Sequence, residues 1–320
     1  MIKVFRTNGV LQIAIIVIAV VAIWVWSFIA PPEMADNDAC GPLYLLLKMG
    51  LGGLPTVSVV VGIALTLAEG YLLNRLLYEK GLVPLNSLMP MLMYVIFMGM
   101  GVRSNGLSPA LLTNLWILLA MMAMMPKENM IMEERRIFDT GLWCSMAILT
   151  WIPSVAVLIP IALGQITYKM YKGREWAVSV LGLLAPVIVV VTTMFMMDRM
   201  DVMAGYAVSL VSGVGIRFCG EVLCTVEAAV FVLLGIVLTI GAIGVLNGRT
   251  IVQRKHGIVM VSMLIYSAAT LFYASLTPIE GGAFAIAMAS TGSIYVMDKK
   301  KRLWIYDLMV VVLFVMSLIC

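Results

Sequence analysis

Residues 138–174, FDTGLWCSMAILTWIPSVAVLIPIALGQITYKMYKGR, read either as one long membrane helix or as two short ones, and the choice sets the sidedness of the whole chain. One helix would carry Lys169, Lys172 and Arg174 to the face opposite the other basic loops. Trp151-Ile152-Pro153 argues against it, because proline lacks an amide donor and disfavours helical geometry at the residue before it. The sequence therefore predicts two short helices, 138–151 and 153–170, turning near the outer face. At 1.5 Å per residue the first reaches about 21 Å, less than the hydrocarbon core of about 30 Å, so it needs shielding by neighbours or a re-entrant course.

Outward from this break, further apolar runs lie at 10–29, 55–78, 88–102, 107–125, 176–197, 221–246, 257–276, 282–297 and 303–320. Of the 320 residues 62% are hydrophobic and only 12% charged, against about 25% charged in soluble domains. The predicted fold is an all-α, polytopic transmembrane helical bundle of eleven spans, a single membrane domain over 1–320 with no gap long enough to fold by itself. An odd span count puts the termini on opposite sides. With the N-terminus inside and the C-terminus outside, 17 of the 21 lysines and arginines are cytoplasmic, and only Lys48, Arg103, Arg199 and Arg217 are external. That is the asymmetry of the positive-inside rule. The stretch 202–216 is apolar but short, with glycines at 205, 213 and 215. Counting it as a span would move Lys299, Lys300, Lys301 and Arg302 outside, so it is expected to lie as a helix in the outer interface.

The first run follows Lys3 and Arg6 as a secretory signal would, but its length, Trp24 and Trp26 near its outer end, and Pro31-Pro32 behind them predict an uncleaved anchor. The formal charge of +4 is spread over short inner loops, which predicts no nucleic-acid partner. The bilayer is the expected partner, with the basic run 299–302 drawn to anionic headgroups. Cys40, Cys144, Cys219, Cys224 and Cys320 have no zinc-like spacing, and His256 falls in a basic inner loop, so no metal and no cofactor are expected. Cys40 shares the outer side with Cys219 and Cys224, where a disulfide is chemically allowed. The 27 methionines read as flexible apolar filler rather than as copper ligands.

Ionisable and amide side chains at membrane depth each need a partner or an aqueous cavity. Glu69 lies about two turns from the inner end of the second span, with Asn74 and Arg75 beyond; water is expected to reach it, and lining a cavity or bonding a neighbouring helix is the alternative. Six residues separate Glu69 from Arg75, a poor angle for a pair along one helix. Asn114 and Gln165 read as hydrogen bonds between helices. Glu221 and Glu227 open the eighth span, where the helix dipole accounts well for the first and less well for the second. No alternating series of acids crosses the bilayer, which argues against a proton-driven pump. The catalytic candidates are Asp36 and Asp38 in the first outer loop, a carboxylate pair able to share a divalent cation on a phosphate or to supply a base. Charge placement outside the membrane explains the same residues.

Asn74-Arg75-Leu76-Leu77, Leu85-Asn86-Ser87-Leu88-Met89-Pro90 and Leu107-Ser108-Pro109-Ala110-Leu111-Leu112-Thr113-Asn114 set a pattern. It continues through Ile137-Phe138-Asp139-Thr140-Gly141, Arg174-Glu175-Trp176, Leu184-Ala185-Pro186 and the basic loop 247–255. In this order the chain resembles an uncharacterised bacterial family of polytopic inner-membrane proteins, a domain-of-unknown-function family. The resemblance implies the bacterial cytoplasmic membrane and brings no activity, catalytic residue or cofactor with it. Asp36 and Asp38 lie outside the segments that carry it. The expected function is therefore an envelope-biogenesis component or a membrane partner subunit rather than an enzyme. A polyprenyl-phosphate-dependent membrane glycosyltransferase, with a lipid-linked substrate, is the alternative, and a small-molecule or lipid transporter is third.

Overall fold

A computed structural model describes residues 5, 9–31, 34, 40–84, 87–99, 107–126, 133–170, 172–212, 222–273, 282–298 and 303–319. Among these residues the secondary structure is helical throughout, with 13 α-helices and no strand. They are α1 Val10–Ile29, α2 Pro42–Leu51, α3 Pro55–Glu79, α4 Met89–Gly99, α5 Pro109–Met124, α6 Glu134–Thr150, α7 Leu158–Thr167, α8 Gly173–Met196, α9 Met200–Ser212, α10 Val222–Leu246, α11 Ile251–Tyr273, α12 Gly282–Asp298 and α13 Leu303–Ile319. A 3₁₀ turn, Ile152–Val157, joins α6 to α7. Proline opens α2, α3 and α5, where its missing amide costs no hydrogen bond. At α5 the Ser108 hydroxyl accepts from the Leu111 amide at 3.1 Å, the cap that Ser108-Pro109 predicts.

The break at residue 151 is where the proline argument puts it. Trp151 is extended, with φ −148° and ψ 121°, and forms an isolated antiparallel bridge with Cys40. The helix ahead of the break extends back to Glu134, where Arg136 donates to carbonyls at the end of α5. One expectation is corrected. Residues 42–51, read as part of an outer loop, form α2; Gly41 donates its amide to the Thr150 carbonyl at 2.9 Å, and a Cβ there would lie 2.1 Å from the Leu149 carbonyl oxygen.

Among the described residues three helices are long and apolar enough to cross a membrane, α1, α3 and α8. They are apolar on their outward faces too: Ile18, Val21, Leu181, Ile188 and Phe195 are all exposed. Such continuous apolar surface suits lipid rather than water, so the protein associates with a membrane. At the centre lies α4, whose residues are all buried except Met91. An apolar helix of 11 residues reaches about 16 Å and needs this enclosure, which α1, α3, α12 and α13 supply. A second group is built on α6 and α8. A Cβ on Gly141 would sit 2.2 Å from the Ser179 carbonyl oxygen, and one on Gly182 2.2 Å from that of Phe138. These reciprocal glycines let two backbones touch, the small-residue packing that works without a hydrophobic driving force.

Chain connections gather at two ends. At one, Lys80 meets Met125 and Pro126, Tyr168 meets His256, Glu134 pairs with Arg174, and Arg249 with Asp298. At the other, Cys40 and Gly41 meet Thr150 and Trp151, the Tyr44 hydroxyl donates to the Leu107 carbonyl, and the Tyr206 hydroxyl to that of Ile148.

Candidate functional site

Along α3 the residues Val59, Gly62, Thr66, Glu69, Leu73 and Leu76 recur at alternating spacings of three and four, which puts them on one face, and all are buried. Glu69 thus belongs to the packing stripe. Its neighbour Gly70 lets α4 approach: a Cβ there would lie 3.1 Å from Met91 Cγ and 3.6 Å from Tyr94 Cδ1. The Tyr94 hydroxyl consequently donates to Glu69 Oε2 at 2.6 Å. From α5, Asn114 Nδ2 donates to the same hydroxyl at 3.2 Å and lies 3.8 Å from Met98 Sδ.

Glu69, Tyr94 and Asn114 are each 0% exposed. The expectation that water reaches Glu69 is therefore overturned, because depth along the helix matters less than the face on which the carboxylate lies. Glu69 Oε1 is buried without a hydrogen-bond partner among the described residues, as are Thr113 Oγ1 on α5 and the Tyr266 hydroxyl on α11. Tyr266 stands within electrostatic reach of Tyr94. The neighbouring helices α4, α5 and α11 thus bring polar groups to Glu69 and Tyr94, and the Leu115 backbone on α5 also reaches the carboxylate.

The other sequence candidates scatter. Arg75 is exposed and pairs with Glu79 at 2.7 Å, on a different face of α3 from Glu69. Asn74 is half-buried, its Oδ1 without a partner among the described residues. Gln165 donates from Nε2 to Ser179 Oγ at 2.9 Å and ties α7 to α8. Glu227 lies in α10, its side chain outside the described residues, and Asp36, Asp38, Arg103, Arg217 and Cys219 lie outside them altogether.

A second polar centre went unread in the sequence. Lys80, 7% exposed, donates from Nζ to the carbonyls of Met125 at 2.7 Å and Pro126 at 3.3 Å. Arg136 donates to the carbonyls of Met122, Ala123 and Met125 at 2.9, 3.0 and 2.7 Å. Two cations thereby occupy the carbonyl-rich, negative end of α5. Beside them His256 corrects another expectation. It lies not in a loop but in the first turns of α11, 1% exposed, with Nδ1 2.7 Å from the Tyr168 hydroxyl. Burial, with Lys80 and Lys255 nearby, pushes its pKa down from 6.5 to about 4.

Neither centre gathers three or more His, Cys, Asp or Glu side chains, nor does any other place among the described residues. No family, no curated protein and no solved structure matches the chain, so the resemblance drawn from short motifs adds nothing to either centre.

Proposed function

We propose that the chain is a multi-pass protein of the bacterial cytoplasmic membrane that serves as the membrane partner subunit of an envelope-biogenesis complex. In this reading it crosses eleven times, N-terminus in and C-terminus out, with α9 on the outer interface. The clustering of the connections at two ends supports the topology. Segments around residues 80, 126, 136, 168, 174, 249 and 256, all read as cytoplasmic, contact one another, and those around 41, 107, 150 and 206, read as external, do likewise. At 13 residues α9 extends about 20 Å, too short to cross the core upright.

The observation that carries the partner role is a groove of about 520 Å³ between α7, α10, α11 and α12, lined by Leu163, Ile236, Ile240, Ile258, Ile265 and Phe284 among others. It presents almost no polar atom. That suits an apolar helix of another membrane protein and not a sugar, phosphate or other polar substrate. Glycosyl transfer from a lipid carrier rests on Asp36 and Asp38 alone and gains no support from this groove.

The test runs in cells with the full chain. Reporter fusions at Lys127, Lys172 and Lys300 should behave as cytoplasmic and one at Cys320 as external; a cytoplasmic Cys320 removes one span. A photo-crosslinking residue at Ile240 should trap one discrete protein, while one at Ile18 on α1 should not. Crosslinks to lipid alone at Ile240 would overturn the partner role.

A further inference from the structure

Glu69 is buried at membrane depth, ten residues before the end of α3 at Glu79, or about 15 Å along the axis. A carboxylate in such a place needs a counter-charge, because leaving it bare in a low-dielectric interior costs far more than neutralising it. Among the described residues no cation forms an ion pair with Glu69. No ionisable side chain stands on α1 or α5, and Tyr94 alone stands on α4. On α12, Asp298 is engaged with Arg249 at the helix end and Tyr295 is the other titratable group. On α2 stand Tyr44, whose hydroxyl is bound to the Leu107 carbonyl, and Lys48 in the last turn. On α3 itself Arg75 is committed to Glu79, and Tyr71 and Tyr78 are exposed. From α11 comes the neutral phenol of Tyr266.

From this enclosure we infer that Glu69, Tyr94 and Asn114 form an intramembrane proton-binding site, in which Glu69 takes up and releases one proton as its counter-charge. The order of donors fits. Asn114 donates to Tyr94 and Tyr94 to Oε2, which leaves Oε1, the oxygen without a partner, as the one to carry the proton. The balance is simple: an O–H bond forms at Oε1 and the carboxylate charge is cancelled, with no redox partner involved. Tyr94 and Asn114 are positioning residues. They hold one oxygen and orient the other without exchanging a proton themselves. The site is separate from the lateral groove and stands or falls independently of the partner role.

The full-length protein in lipid nanodiscs tests it by infrared difference spectroscopy between acid and alkaline buffers, in sodium-free and sodium-containing media. The wild type should show a protonated carboxylic-acid carbonyl band that shifts in D₂O, disappears at high pH and is lost in Glu69→Gln. Tyr94→Phe should move that band, since its hydrogen bond to Oε2 is gone; a merely structural Tyr94 would leave its position unchanged. Were Glu69→Gln not to fold, ¹³C-carboxyl glutamate in the wild type gives the same readout. A band identical in wild type and Glu69→Gln overturns the proposal. So does a band unchanged at every pH, which would make Glu69 a fixed hydrogen-bond donor. A band removed by sodium at constant pH overturns it as well, since the oxygen cluster would then hold a metal cation.

Discussion

Glu69 lies within α3 and Lys80 caps the C-terminal end of the same helix, and both are buried. Their surroundings are opposite. Lys80 meets the carbonyl-rich end of α5, so each donor points at an acceptor that no intrahelical amide claims. Glu69 meets one hydroxyl and leaves Oε1 without a partner among the described residues. A buried ion whose partners are complete reads as structure, and one whose partners are incomplete reads as a place where something else binds.

The largest break in this comparison comes from Lys80→Met, which keeps the length of the side chain and removes its charge. Hydrogen bonds to a charged group contribute about 1.5–3 kcal/mol each, and Arg136 still holds part of the same helix end, so a loss of about 2–4 kcal/mol is expected. Glu69→Gln keeps both volume and an acceptor for Tyr94 and should cost less than about 1 kcal/mol. Detergent thermal unfolding of both variants measures the difference. Equal losses would mean that both residues are structural and the contrast is empty.

Tyr94→Phe sharpens the contrast at the Glu69 side. It strips the Tyr94 hydrogen bond from the carboxylate and an acceptor from Asn114, and unsatisfied buried groups cost about 1–3 kcal/mol. If the hydroxyl acts through Glu69, the loss should shrink in a Glu69→Gln background, and a double-mutant cycle reads that coupling directly. Additive losses would place the two residues in separate environments.

How far each region was legible follows from which forces local sequence encodes. The break at Trp151 and the cap at Ser108 depend on backbone chemistry within three residues, and both could be read. The wholly buried α4 is an uninterrupted apolar run, which signals helix but hides Tyr94, a residue that hydropathy counts as nearly apolar while its hydroxyl does the work. Glu69 was singled out by its charge; its stripe at 59, 62, 66, 69, 73 and 76 was present in the sequence and would have predicted its burial. Lys80 and Arg136 were read only as topology markers, because the carbonyls they hold belong to α5, and pairing across 45 residues in one case and 11 to 14 in the other leaves no local pattern. Their clustering at one end is nevertheless what common sidedness requires.

The smallest expected effect concerns His256, which shares the Lys80 end of the bundle and immediately precedes the apolar run from 257. Its folded pKa of about 4 lies below the 6.5 of a free imidazole, so between those values the unfolded chain binds more protons than the folded one. Stability therefore rises with pH across this window, and the contribution of the neutral imidazole is lost as pH falls from about 6.5 toward about 4. When Nδ1 accepts from the Tyr168 hydroxyl, protonation at that nitrogen also ends the hydrogen bond. Unfolding temperatures measured across this range in the wild type and in His256→Gln should diverge, with the variant less sensitive to acid. The Lys80→Met background should flatten the wild-type slope, since one of the cations that opposes protonation of His256 is then gone. An unchanged slope in that background would mean that desolvation alone sets the imidazole, and that Lys80 acts only on the end of α5.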